Sequence, residues 1–253
     1  MRASARWKKP LPLTSPPERI LRRGIATYMS EDLTLPTETL SVRERGKQRR
    51  RIRIKEAART VFLERGYEAA TTREIADRAD VSQGTLFAYA PTKSELLLMI
   101  INDDLEVLRA DRFGSETLTR PLIEILLDFA SLDMAYWAQY PEMARQARRE
   151  VGVVLLGRPS GPEALRYAAW KPTLLQSLAA IVREKQDAGF LRPAISAELV
   201  AELWWAIYNQ NLHNWLVSDK PDVAKGLSQL RNLLQLAIAG IQPFSATTLP
   251  STY

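Results

Sequence analysis

The stretch from Thr71 to Tyr89, TTREIADRADVSQGTLFAY, constrains the fold more than any other part of the chain. Thr71 is placed to cap a helix through its hydroxyl, with Glu74 three residues on closing a capping box. Ile75, Ala76 and Ala79 then supply a narrow apolar stripe. Asp80-Val81 predicts a turn, because Val81 plugs the angle between two helices and Asp80 is of a type that tolerates left-handed backbone. Ser82 caps the second helix, where Leu86 and Tyr89 fall one turn apart on an inward face and Gln83, Thr85 and Ala88 lie nearer solvent. Two short helices joined in this way imply a DNA-reading unit. A short helix with a small or polar N-terminal end fits the major groove, where side chains reach base edges and the first amides approach phosphates.

The flanking segments complete a small helical head. From Lys47 the cluster KQRRRIRIK merges into an amphipathic helix with Ile54, Ala58, Val61 and Phe62 on its apolar side. Arg49, Arg50 and Arg53 fall mainly on the other side, in reach of a DNA backbone; solvated charge is the alternative for any one of them. Gly66 stops this helix through a left-handed cap, and Tyr67 folds back into the head core. Thr92 and Glu95 form a second capping box, and Leu96, Leu97, Met99, Ile100, Leu105 and Leu108 carry the next helix to about Arg112.

The run from Ile54 to Leu97, IKEAARTVFLERGYEAATTREIADRADVSQGTLFAYAPTKSELL, resembles the DNA-binding domain of TetR-family transcriptional regulators. The resemblance lies in the A-A-x-x-x-F helix ending in E-R-G-Y, the T-T-R-E-I-A pair, the V-S-x-G-T-L segment and the P-T-K-S-E-L-L helix start. It implies DNA contacts from Thr72, Arg73, Gln83, Thr85, Phe87 and Tyr89, with Lys93 on a phosphate. Gln83 suits adenine and Arg73 guanine, whereas Phe87 offers only an apolar surface for a thymine methyl. Three positions depart from the family pattern: Ala88 replaces a common histidine, Ala90 a phenylalanine and Asp80 a glycine. They bear on affinity and operator choice, not on the fold. In the family the helix after Lys93 joins head to body, so its tilt changes the separation of two recognition helices.

Charge is divided along the chain. Residues 1–55 hold 15 Lys and Arg against 5 Asp and Glu, while the remainder holds 20 against 24, within an overall net charge of +6. Positive charge gathered at one end is expected of a protein that offers one face to a polyanion. Cysteine is absent and His213 is the single histidine, which argues against thiolate or histidine metal sites and cysteine nucleophiles. No catalytic residue, metal or cofactor is assigned. There is no membrane-length apolar run and no secretory signal, so a cytoplasmic protein is expected. The expected organisation is a disordered basic extension at 1–45, a helix-turn-helix DNA-binding domain at 46–93, a helical effector-binding and dimerisation domain at 94–241, and a flexible tail at 242–253. The first 28 residues are either an artefact of start choice before Met29 or a basic arm whose Arg19, Arg22 and Arg23 track phosphates.

The body reads as helix throughout, giving an all-α protein. Residues 117–140 form one helix that Pro141 ends; a Gly/Pro-rich interruption at Gly157 to Pro162 reads as a mobile loop; Glu163 to Ala188 is helical, with Trp170-Lys171-Pro172 placed to kink or divide it. Two last helices, Ser196 to Val217 and Asp222 to Gly240, align Trp204, Tyr208, Asn211 and Trp215 on one line and Val223, Leu227, Leu230 and Leu234 on another. They suit a four-helix homodimer interface, with an internal core as the alternative. Tyr136, Trp137, Tyr140, Trp170, Trp204, Tyr208 and Asn211 are the candidates for lining an effector pocket, which the resemblance places among these helices. The expected function is a homodimeric regulator, a repressor most often, that binds a palindromic double-stranded operator and is released by a small apolar or aromatic effector. A regulator without an effector and a helical enzyme with a basic tail are the alternatives; for the latter, no serine motif or Gly-rich phosphate loop is present.

Overall fold

Ser41 starts the first helix. Its hydroxyl accepts from the Glu44 N–H at 3.2 Å and its own N–H donates to Glu44 Oε2 at 2.8 Å, a complete capping box. In the computed structural model, which describes residues 41–109, 118–157, 159–218 and 220–239, α1 therefore runs Val42–Arg65. This corrects the expected 1–45 extension, whose last residues are helical; residues 1–40 and the 242–253 tail lie outside the described residues. Gly66, at φ 80°, ends α1 with its N–H on the Phe62 carbonyl at 3.0 Å, as expected of a glycine cap.

The helix-turn-helix follows its caps. Thr71 accepts from the Glu74 N–H at 3.1 Å and opens α2, Thr72–Arg78; Ser82 accepts from the Thr85 N–H at 3.1 Å and opens α3, Gln83–Tyr89. Asp80 between them adopts φ 53°, the left-handed conformation expected of the turn. Ile54, Ala58, Val61 and Phe62 of α1 close on Ile75, Ala76, Ala79, Leu86 and Ala90 as the buried head core. Tyr67 folds back onto Phe62, with ring centroids 5.2 Å apart.

Six further helices are described: α4 Lys93–Arg109, α5 Leu122–Gln139, α6 Pro141–Leu156, α7 Pro162–Asp187, α8 Ala197–Val217 and α9 Val223–Ala239. No strand occurs among the described residues, and none of their helices is long and apolar enough to cross a membrane. Helix α7 continues through Pro172, so the expected division there does not occur. The loop before α7 is pinned at its end. A Cβ on Gly161 would stand 2.2 Å from the Glu95 carboxyl carbon, so any other residue there would have to displace the Glu95 carboxylate. Glu95 itself corrects the second capping box. Thr92 Oγ1 accepts from the Glu95 N–H at 3.1 Å, but the Glu95 carboxylate turns to the start of α7, where it accepts from the N–H groups of Glu163 at 2.8 Å and Ala164 at 3.0 Å.

The two aligned stripes of α8 and α9 are internal. Trp204, Tyr208, Asn211 and Trp215 are buried, as are Leu230 and Leu234, with Val223 and Leu227 packed against the same core. Helix α9 lies on α5 and α8 and packs tightly against them at Gly226, where a Cβ would come 2.2 Å from Met134 Cε and 2.7 Å from the Trp215 ring. What α8 and α9 leave exposed is a different apolar set: Leu199, Leu203 and Val217, and Leu233 and Leu236.

Candidate nucleic-acid interface

Extending α1 back to Val42 creates a groove that the sequence reading did not anticipate. The first turns of α1 run beside α3 and enclose an open groove of about 970 Å³. Arg43, Lys47 and Arg50, at spacings of four and three, form one wall with Val42 and Gly46; Ser82, Gly84, Thr85, Ala88 and Tyr89 form the other. One wall is cationic and the other carries three hydroxyls and small residues, a composition suited to a phosphodiester backbone. Ser82 and Thr85 hydroxyls bond each other at 2.9 Å, and the Tyr89 hydroxyl crosses to donate to the Lys47 carbonyl at 3.2 Å. Arg43 and Lys47 were missed as site residues. The S-x-x-E pattern at Ser41 and Glu44 was the signal that finds them, because it moves the helix start ahead of both.

The predicted DNA contacts divide. Arg49, Arg50, Arg73 and Gln83 are exposed, Thr72 and Thr85 half-buried, and Phe87 is 44% exposed at the free edge of α3. Arg53 is exposed and faces the Asp80 carboxylate at 3.5 Å; Asp80 is almost wholly exposed, so this pair contributes little beyond offsetting the charge that Asp80 adds to the turn. Tyr89 is tied to α1 as described. Lys93 has partners within the protein: its ammonium donates to the carbonyls of Glu68 at 3.0 Å and Ala70 at 3.3 Å and lies 4.6 Å from the Tyr67 ring centroid. Two of its three N–H groups thus close the loop after α1.

Three other cations of the same helix face inward. Arg51, Lys55 and Arg59, each four residues apart, meet Asp103 and Asp104 of α4. Arg51 grips Asp103 through both terminal nitrogens, at 2.6 and 2.9 Å, and Arg59 grips Asp104 at 2.8 and 2.7 Å. Burial alone would raise the Asp103 carboxyl; Arg51, Arg166 and Lys55 outweigh it and hold it down at about 2. Tyr136, an effector candidate, belongs here instead: its hydroxyl donates to Asp104 at 2.9 Å, and burial together with that carboxylate pushes its pKa up.

The remaining effector candidates cluster in the body. Trp204 stacks on Tyr208 at 5.3 Å, Phe129 meets Trp204 edge-on at 5.0 Å, and Trp170 reaches Trp205 at 5.5 Å. Asp133 accepts from Trp137 Nε1 at 3.1 Å and from the Tyr208 hydroxyl; Asn211 donates to the Gly226 carbonyl at 3.2 Å. Trp204 Nε1 is buried without a hydrogen-bond partner, and Tyr140 is a half-buried residue at the α5–α6 corner. Asn211 therefore fastens α9 to α8, and most of the polar groups expected to meet a ligand already meet protein.

A capped helix-turn-helix beside a cationic groove, continuous with an all-helical body, defines an all-α helix-turn-helix protein. The sequence pattern described as "Bacterial regulatory proteins, tetR family" matches residues 54–100. Residues 54–100 therefore carry the DNA-binding pattern of this family. It is 49% identical over 49 residues to the HTH-type transcriptional repressor KstR of Mycobacterium tuberculosis, covering 19% of this chain and 22% of that protein. It is 32% identical over 132 residues to the HTH-type transcriptional activator FasR of Mycolicibacterium smegmatis, covering 44% of this chain and 60% of that one. The matched segments thus span less than two thirds of either curated relative. Among solved structures, Thermus thermophilus FadR, a TetR family repressor in complex with lauroyl-CoA, superposes with a TM-score of 0.58 at 25% identity, over 80% of this chain and all of that one.

Proposed function

We propose that this protein is a sequence-specific DNA-binding transcriptional regulator that acts as a homodimer on a palindromic operator, as a repressor released by a small apolar or aromatic effector. The groove between α1 and α3 carries the reading. Its cationic wall of Arg43, Lys47 and Arg50 takes the phosphate backbone, while Gln83, Arg73 and Phe87 on the neighbouring helices reach base edges. Two copies join through Leu199, Leu203 and Val217 of α8 with Leu233 and Leu236 of α9, the apolar side chains these helices leave outside the core. Such a dimer addresses half-sites about 34 Å apart or somewhat further. The effector enters the aromatic body around Trp204, where a buried indole N–H stands ready for an acceptor; the acyl-CoA bound by the Thermus relative supports a ligand with a long apolar part. The mutual packing of Phe129, Trp204 and Tyr208 favours a second reading, a regulator without an effector.

Selection of bound duplexes from a random pool by the full-length protein tests the reading. A palindromic consensus supports it, and its release by lauroyl-CoA separates effector control from the second reading. A pool that stays random refutes it.

A further inference from the structure

The cations of α1 serve two different neighbours, and the boundary falls between consecutive residues. Arg50 lines the groove; Arg51 turns away from it into an ionic cluster built by α4 and the first turn of α7. There Asp103 receives Arg51, Lys55 at 3.3 Å and Arg166 at 2.7 Å. Glu163 receives Arg51 at 2.8 Å, Arg166 at 3.3 Å and the Asn102 amide at 2.8 Å. Arg166 also pairs with Glu106. The Glu163 and Asp103 side chains are 9% and 14% exposed, so their pairs with Arg51 are screened less than surface pairs, whereas Glu106 is largely exposed.

The groove-lining turns of α1 lack any such hold from the apolar core. Ile54 is the first buried residue of α1, and everything from Val42 to Arg53 is exposed or half-buried. Besides their continuity with the buried half of the helix, they are steadied by polar contacts, among them the Tyr89 hydroxyl on the Lys47 carbonyl and the grip on Arg51. Arg43 lies eight residues before Arg51, about 12 Å along the helix. A tilt of about 10° at Arg51 therefore carries Arg43 about 2 Å, more than the tolerance of a hydrogen bond to phosphate.

We propose that Glu163 and Arg166, in the first turn of α7, are positioning residues for DNA recognition, setting the direction of α1 and hence the width of its groove with α3. This rests on the DNA-binding reading above. It adds a route from body to head that passes from α7 directly to α1, beside the route through α4. Glu95, which caps α7 from α4, fixes the origin of that route.

Since the sequence has no cysteine, Val42→Cys and Val153→Cys, both at exposed positions, give one clean spin-label pair per copy. The distance distribution is measured by double electron–electron resonance in full-length protein diluted with unlabelled copies, alongside binding to the best selected duplex and to a scrambled one. Glu163→Gln and Arg166→Met should each broaden the distribution and weaken specific binding about tenfold. Binding to the scrambled duplex, which needs charge but not register, stays the same. Glu163→Gln is nearly isosteric and carries the test should Arg166→Met fail to fold. An unchanged distribution, or parallel loss of specific and scrambled binding as from simple unfolding, overturns the positioning role while leaving the DNA reading in place. A parent protein that prefers no duplex overturns both.

Discussion

Replacing Glu95 with glutamine isolates the contact that binds α4 to the start of α7. The buried Glu95 carboxylate accepts two backbone N–H groups, from Glu163 at 2.8 Å and Ala164 at 3.0 Å, at a helix terminus whose dipole favours negative charge. Hydrogen bonds to a charged partner contribute about 1.5–3 kcal/mol each. Glutamine keeps one acceptor, now neutral, and turns an NH₂ donor against the other N–H. The two changes together cost about 3 kcal/mol, which for a chain of this size lowers the thermal midpoint by about 6–12 °C. The assay is thermal unfolding followed by circular dichroism at fixed protein concentration, since self-association makes the midpoint concentration-dependent. Gly161→Ala attacks the same contact from the other side, because its Cβ would overlap the Glu95 carboxyl. The two substitutions combined should therefore cost less than the sum of each alone. A shift below about 2 °C for Glu95→Gln, where about 6–12 °C is expected, would refute the capping argument.

Five further outcomes are expected. Gln83→Ala should relax discrimination at one operator position by about 1–3 kcal/mol; unchanged preference across an operator library removes Gln83 from base reading. Lys47→Ala should weaken binding to all duplexes alike and reduce the salt slope by about one unit. Lys93→Ala should instead lower the thermal midpoint with the salt slope intact, because its donors close the loop at Glu68 and Ala70; a changed slope would restore it to the phosphate contacts. Asp103 is held at about 2 against an ordinary value of 3.8, so its stabilisation is complete above about pH 4 and is lost as pH falls toward 2. Asp103→Asn should flatten that part of an acid-unfolding profile, and an unaltered profile contradicts the assignment. Leu236→Glu, at a position 78% exposed, should give a monomer by sedimentation; a dimer of unchanged strength places the interface elsewhere.

The head was legible because its signals are local. Thr71, Ser82, Gly66 and Asp80 each act on backbone within a few residues, and the structure puts each in the expected conformation. Ser41 and Glu44 carry an equally local signal, masked by the Pro- and Thr-rich composition that precedes it. The cations of α1 were different. Nothing near Arg51 in sequence separates it from Arg50; the distinction comes from Asp103 and Glu163, which lie 52 and 112 residues away. Lys93 and Glu95 take partners that their local sequence does not show, for a related reason. Their helix start was correct, but long side chains choose among partners that folding brings near: the Glu68 and Ala70 carbonyls for Lys93, and for Glu95 the α7 amides in place of its own helix start. In the body, periodicity found the buried lines of α8 and α9 and not the exposed ones, because the richest apolar stripe of a helix serves the core before any interface.

Whether the groove between α1 and α3 makes a sequence-selective DNA reader is decided by the dissociation constant for the selected palindrome against a scrambled duplex of the same length and composition, at two salt concentrations. A selective reader should show a preference of about a thousandfold or more and a steep fall of both affinities with salt, near 0.9 in logarithmic slope per phosphate engaged. Equal affinity for the two duplexes at both salt concentrations would contradict it.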